Sequence, residues 1–185
     1  MRVITLNQAE VEEHCRQLLD QLKADSYQPD LLVGIRSGGA RVGEIIHRLS
    51  PATPYLECDA IRNLSRKKKS FMTQWLNRLP RFILDLMRVA EAKLAFHRKN
   101  RTNFALVAIP EAVGQYNDIL VIDDAVDSGA TIDVVCRKIA TVNPRARVKV
   151  AAFTVTGSQP IKEADYCLYR KATLIRFPWS IDAKN

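Results

Sequence analysis

The run Ile119-Leu-Val-Ile-Asp-Asp-Ala-Val-Asp-Ser-Gly-Ala-Thr131 brings carboxylates, hydroxyls and a glycine together behind an apolar lead-in. Asp123 and Asp124, leaving a buried strand, can accept hydrogen bonds from the vicinal hydroxyls of a sugar. Ser128, Gly129, Ala130 and Thr131 present backbone N–H groups and two hydroxyls at a helix start, where the dipole favours a phosphate. Ribose next to phosphate is the ligand these groups would suit. Two plainer readings fit the same residues: Asp127 or Ser128 caps the helix while the aspartates stay solvated, or the paired carboxylates line a Mg²⁺ pocket of the phosphoryl-transfer kind. A second segment, Val33-Gly-Ile-Arg-Ser-Gly-Gly39, has glycines that let backbone approach a ligand closely, and it is equally a plain strand-to-helix connection.

These residues need strands that end at them and helices that begin there. Leu31 to Ile35 is a continuous apolar run, as in a strand buried on both faces, and Val42, Ile45, Ile46 and Leu49 then repeat at helical spacing up to Ser50-Pro51. The order recurs: strand Ile119 to Ile122, turn Asp123 to Gly129, helix through Ile132, Val135, Cys136 and Ile139. Before the first unit, Asn7 caps a predicted helix from about Gln8 to Ala24 with an apolar stripe of Val11, Cys15, Leu18, Leu19 and Leu22. Further strands are predicted at Tyr55 to Ile61, Val148 to Val155 and Tyr166 to Tyr169. Alternating strands and helices predict an α/β fold with a parallel sheet covered on both faces, and ligands on such sheets bind at the carboxyl ends of the strands. Both glycine turns fall there.

The interval from 62 to 101 departs from this repeat. It holds twelve Lys and Arg against Asp85 and Glu91 only, although the whole chain is just +8. It reads as a basic loop, Arg62 to Ser70, followed by a helical pattern from Phe71 to about His97 that Pro80 should break or kink. Such a block attracts phosphates on nucleic acid, membrane or a small polyanion. Composition, 47% hydrophobic and 26% charged over 185 residues, predicts one folded domain, 1–185, carrying this insertion. Cys15, Cys58, Cys136 and Cys167 form no CxxC pair, which argues for reduced thiols and against structural zinc. Neither a signal sequence nor an apolar run of about 20 residues is visible, so a cytoplasmic protein without membrane attachment is expected.

The run from Asp123 to Thr131 closely resembles the phosphoribosyl-pyrophosphate (PRPP) signature of type I phosphoribosyltransferases, where an apolar strand leads to two acids and a turn of the form acid-Thr/Ser-Gly-x-Thr. The resemblance implies the type I fold with a small hood. It implies that Asp123 and Asp124 hold the ribose hydroxyls, that the stretch Asp123, Asp124, Ala125, Val126, Asp127, Ser128, Gly129, Ala130 and Thr131 binds PRPP, and that Mg²⁺ accompanies the pyrophosphate, with Asp123 and Asp124 as metal contacts through PRPP or water. Arg36, Ser37, Gly38 and Gly39 are similar to the family's pyrophosphate loop. Many members carry the basic residue directly before Gly-Gly; here Ser37 stands there and Arg36 precedes it. Asp127 matches the acid that purine-using members place against the reacting base nitrogen, and Phe177-Pro178-Trp179 resembles an aromatic segment near the base pocket of xanthine and guanine enzymes, so Phe177 and Trp179 are expected to line that pocket. Catalysis is expected from Asp127 and Arg36. After the strand ending at Val155, Thr156-Gly157-Ser158 replaces the lysine that 6-oxopurine enzymes usually carry.

The implied function is Mg²⁺-dependent transfer of ribose 5-phosphate from PRPP to a purine-like base, as in purine salvage, by a homodimer. The alternative is a non-catalytic PRPP sensor that binds nucleic acid through the 62–101 block. The aromatics Phe71, Trp75, Phe82 and Phe96 lie mostly on an apolar stripe there rather than between basic residues, which favours the enzyme.

Overall fold

The computed structural model describes residues 2–62, 104–170 and 173–180. The basic loop and helical insertion expected between 62 and 101 therefore fall almost wholly outside the described residues.

Helix α1, Gln8–Ala24, starts at a complete capping box: Asn7 Oδ1 accepts from the Glu10 amide at 3.0 Å, and Glu10 Oε2 accepts from the Asn7 amide at 2.7 Å. Its buried stripe is Val11, Cys15, Leu18 and Leu22. Strand β1, Arg2–Thr5, precedes it, and β2, Leu31–Ile35, follows and is buried along its whole length. Next come α2, Gly38–Leu49, β3, Tyr55–Arg62, and β4, Phe104–Ala108. A 3-10 turn, Glu111–Gln115, leads into β5, Asp118–Val126, α3, Ala130–Val142, β6, Arg147–Val155, β7, Tyr166–Arg170, and β8, Thr173–Arg176.

Six strands form the main sheet in the order β4-β3-β2-β5-β6-β7. All neighbours are parallel except β4, which runs antiparallel to β3. The parallel α/β fold anticipated above is thus present, with one antiparallel edge that the sequence pattern did not show. A separate two-stranded sheet joins β1 to β8 in parallel, with Arg2 opposite Thr173 and Thr5 opposite Arg176.

Alternation along the strands divides the core into two layers, as a period of two requires. Leu32, Leu120, Ile122, Ala151 and Phe153 meet α1 and α2 through Val11, Leu18, Val42 and Ile46. Leu31, Val33, Ile119, Val121, Val150 and Ala152 turn the other way and pack on Ile132, Val135 and Ile139 of α3. Each fully buried Leu, Ile or Phe side chain in these layers contributes about 1.5–3 kcal/mol. The two layers clamp β2 and β5 between them, so both strand exits are rigidly placed.

Strand β5 runs four residues beyond the predicted Ile122 end. The cause is β6: Asp123 pairs with Ala152, Ala125 with Thr154 and Val126 with Val155, so the ladder continues past the apolar run. Asp123 and Asp124 consequently sit on a strand, not in a turn.

Candidate phosphoribosyl site

Gly38 and Gly39 start α2 directly over the end of β5. A Cβ on Gly39 would lie 2.4 Å from the Ile122 carbonyl oxygen and 2.7 Å from Asp123 Cα, and one on Gly38 would lie 2.0 Å from Asp124 Oδ2. Real Cβ contacts do not come so close, so only glycine permits this approach. The structure thereby brings together the two glycine-containing segments that the sequence holds far apart, and the ribose-type acids lie under the expected pyrophosphate loop.

Asp123 and Asp124 are both partly exposed, and Asp123 Oδ1 accepts from the Asp124 amide at 3.0 Å. Burial pushes the Asp124 carboxyl above the ordinary aspartate range. Asp123, the amides of Ala125 and Asp124, and the Trp179 indole oppose that push. A carboxyl held at the edge of desolvation is one that ligand hydroxyls can complete.

The turn after β5 is built for close packing. Gly129 has φ +73° and caps α3, and a Cβ on it would lie 2.3 Å from the Lys162 carbonyl oxygen. The Ser128 carbonyl accepts from the Ile161 amide at 2.9 Å, so the loop after β6 braces the turn from below. Ser128 Oγ accepts from the Ala130 amide at 3.4 Å. Asp127 is exposed beside it, and Thr156 Oγ1 donates to its Oδ1 at 3.4 Å. Thr131 is partly buried in the first turn of α3, while Ala125 and Val126 complete the strand, Val126 buried.

Arg36 is exposed at the end of β2 and does not stand free. Its Nε donates to Glu57 Oε2 at 2.5 Å and its Nη1 to Asp59 Oδ2 at 3.3 Å. Hydrogen bonding to Glu57 and the charge of Asp59 raise its pKa further, so it is a permanent cation. Glu57 and Asp59 were missed from sequence; their i, i+2 spacing on β3, which puts both on one face, was the available signal. The bond between Arg36 and Ser37 is cis.

Phe177 and Trp179, expected at the base pocket, pack on one another. Phe177 is 3% exposed, with Phe153 at 5.6 Å on one side and Trp179 stacked 4.8 Å away at an interplanar angle of 9°. It belongs to the core layer that also holds Phe153. Trp179 is partly exposed, and the Arg41 guanidinium lies 5.7 Å from its ring centroid. Its Nε1 is buried, and the indole is among the groups that favour the charged form of Asp124. Arg41 and Trp179 link the C-terminal tail to the start of α2, a relation no sequence signal announced.

Among the described residues no group of three or more His, Cys, Asp or Glu is arranged to hold a metal ion. The pair Asp123 and Asp124 suits a Mg²⁺ that takes most of its oxygens from phosphate and water, which is the usual pattern for that ion.

The carboxylate pair of β5 thus lies beneath the glycine loop that opens α2, with the helix-opening turn of α3 alongside. The chain belongs to the phosphoribosyl transferase domain family, whose model matches residues 5–184. Its fold is the type I phosphoribosyltransferase fold.

Solved structures agree on the fold. The chain is similar to the xanthine-guanine-hypoxanthine phosphoribosyltransferase of Helicobacter pylori, at 18% identity and a TM-score of 0.70, covering 100% of this chain and 97% of that one. It is also similar to a purine phosphoribosyltransferase from Pyrococcus horikoshii, at 17% identity and a TM-score of 0.63, with 97% and 95% covered. A hypothetical protein of Neisseria gonorrhoeae with bound ppGpp follows at 15% identity and 0.60, with 98% and 92% covered. No curated protein matches the chain.

Proposed function

We propose that the protein transfers ribose 5-phosphate from PRPP to a ring nitrogen of a purine-type base and releases pyrophosphate. The observation that carries this reading is the packing of Gly38 and Gly39 onto Asp124 and Asp123. One ligand with a pyrophosphate on C1, two ring hydroxyls and a 5′-phosphate would reach the glycine loop, the acid pair and the Ser128–Thr131 turn in that order.

In the reaction the C1–O bond to pyrophosphate breaks and a C1–N bond to the base forms, through a cation-like sugar. Asp123 and Asp124 hold the hydroxyls and orient C1. The amides and hydroxyls of residues 127 to 131 fix the 5′-phosphate at the helix start, so the sugar is anchored at both ends. Arg36 and the Gly38-Gly39 backbone face the leaving group and stabilise its charge. Mg²⁺, when bound with the pyrophosphate, would neutralise part of that charge. Asp127, steadied by Thr156, accepts the proton that the base nitrogen gives up.

A purine-type acceptor is supported by the kinds of enzyme whose structures resemble this one and by the acid at position 127. The reading further takes the enzyme to be cytoplasmic, Mg²⁺-dependent and dimeric. Among the described residues no helix is long and apolar enough to cross a membrane.

The test is pyrophosphate release from PRPP with Mg²⁺ across guanine, xanthine, hypoxanthine, adenine, orotate and uracil. Release with a purine, lost in Asp127→Ala, is expected. Release with orotate or uracil alone would overturn the purine assignment, and no release with any base would overturn the transferase reading.

A further inference from the structure

Strand β3 carries Tyr55, Glu57 and Asp59 on one face, since alternate residues of a strand point the same way. These three side chains bracket the glycine loop. Before it, Glu57 accepts from Arg36 Nε at 2.5 Å and Asp59 from Arg36 Nη1 at 3.3 Å. After it, the Tyr55 hydroxyl donates to the Ala40 carbonyl at 2.8 Å, and Tyr55 atoms stand 2.7 Å from where a Cβ on Gly34 or Gly43 would be. The Arg36 amide donates to the Cys58 carbonyl at 3.0 Å, so backbone and side chain of Arg36 are tied to the same strand.

The two acids contribute little to folding. The Arg36, Glu57 and Asp59 side chains are 57%, 38% and 36% exposed, and ion pairs so open to water are weak. Nor do they use up the guanidinium. Nε and Nη1 are engaged, while among the described residues Nη2 donates to none. A guanidinium has five N–H donors in a rigid fork, and an edge left open suits two phosphate oxygens.

We propose that Glu57, assisted by Asp59, is a positioning residue for Arg36, holding its guanidinium with Nη2 turned toward the pyrophosphate of the donor. The inference rests on the phosphoribosyl reading of the site. An arginine on a free stem loses rotamer freedom when it grips a ligand; here the two acids impose that loss during folding. They act as hydrogen-bond acceptors. Their negative charge opposes pyrophosphate, a repulsion that salt screens at such exposed side chains, and aim outweighs it.

The test compares the full-length wild type with Glu57→Ala, which removes the acceptor, and Glu57→Gln, which keeps an acceptor oxygen and removes the charge. Calorimetric titrations with pyrophosphate plus Mg²⁺, PRPP plus Mg²⁺ and ribose 5-phosphate are read beside the melting temperature. In Glu57→Ala the affinities for pyrophosphate and PRPP should fall about fivefold, as for freezing one loose side chain on binding. Glu57→Gln should restore both to the wild-type level or above. Ribose 5-phosphate, which has no pyrophosphate, should bind all three proteins equally. Asp59→Ala, which removes the longer contact, should lose less than Glu57→Ala, and it carries the test if Glu57→Ala fails to fold.

Unchanged pyrophosphate affinity in Glu57→Ala would overturn the inference alone, as would a loss that Glu57→Gln does not restore. A gain in both Glu57 variants would show that the acids withhold Arg36 from the ligand, and would overturn it too. Equal losses for pyrophosphate and ribose 5-phosphate with a lower melting temperature would reduce Glu57 to a structural residue, against the inference. Failure of the wild type to bind PRPP would overturn both this inference and the phosphoribosyl reading beneath it.

Discussion

Gly38 and Asp124 occupy the same space in turn: the carboxylate oxygen Oδ2 stands 2.0 Å from where any side chain at residue 38 would begin. A methyl there must displace the acid. Gly38→Ala should therefore swing Asp124 away from the sugar and weaken PRPP by at least tenfold, while the buried strands keep the fold. Calorimetric titration of the variant with PRPP and Mg²⁺ measures this, and wild-type affinity would contradict the contact.

The Asp124 carboxyl is costly in the free protein. Its pKa in the fold is raised above the unfolded value of about 3.9, so the fold favours the protonated form. The favourable share of stability from this group is complete below the unfolded pKa and is lost as pH rises through the folded one. Asp124→Asn should then melt higher than wild type at neutral pH, with the gap closing as pH is lowered toward 4, and should bind PRPP poorly. In a chain of this size each kcal/mol gained raises Tm by about 2–4 °C. A variant less stable than wild type at pH 7 would show that the charge is already compensated.

Gly129 combines a positive φ with a backbone oxygen lying where its Cβ would be. Gly129→Ala should cost about 1–3 kcal/mol from the strained conformation alone, and more from the clash with Lys162. Urea unfolding reads the loss directly. A change below about 0.5 kcal/mol would mean that the loop after β6 can retreat.

Burial pushes the Cys15 and Cys58 thiols up to about 12, Cys58 with help from the charges of Asp123 and Asp59. Both are 2% exposed or less. At pH 8 neither should react with a thiol reagent in the folded protein, whereas all four cysteines should react in denaturant. Peptide mapping of the labelled protein identifies the sites. Rapid native labelling of Cys58 would indicate that β3 opens beside the acid pair. The same experiment run with PRPP present would report whether the ligand closes that edge further.

Much of this was readable from residue types. Asn7 announced the start of α1, the continuous apolar run from Leu31 to Ile35 announced a strand buried on both faces, and the Ser-Gly-x-Thr run announced the turn that opens α3. What escaped depended on pairing between distant segments. The extension of β5 to Val126 comes from its ladder with β6, and the antiparallel β4 and the β1–β8 sheet are likewise set by partners rather than by local pattern. The clamp on Arg36 joins β2 to β3, and the packing of Phe177 between Phe153 and Trp179 joins the C-terminal tail to β6. Sequence spacing carries information about one element's faces; it carries little about which neighbour those faces meet.

The most direct measurement is titration of PRPP with Mg²⁺ into the wild type and into a double variant, Asp123→Asn with Asp124→Asn, each shown to be folded by circular dichroism. The account predicts saturable binding to the wild type and at least a hundredfold loss in the double variant, since two charged hydrogen-bond acceptors at about 1.5–3 kcal/mol each are removed. Equal PRPP affinity in a folded double variant would contradict the assignment of the sugar site to these two aspartates.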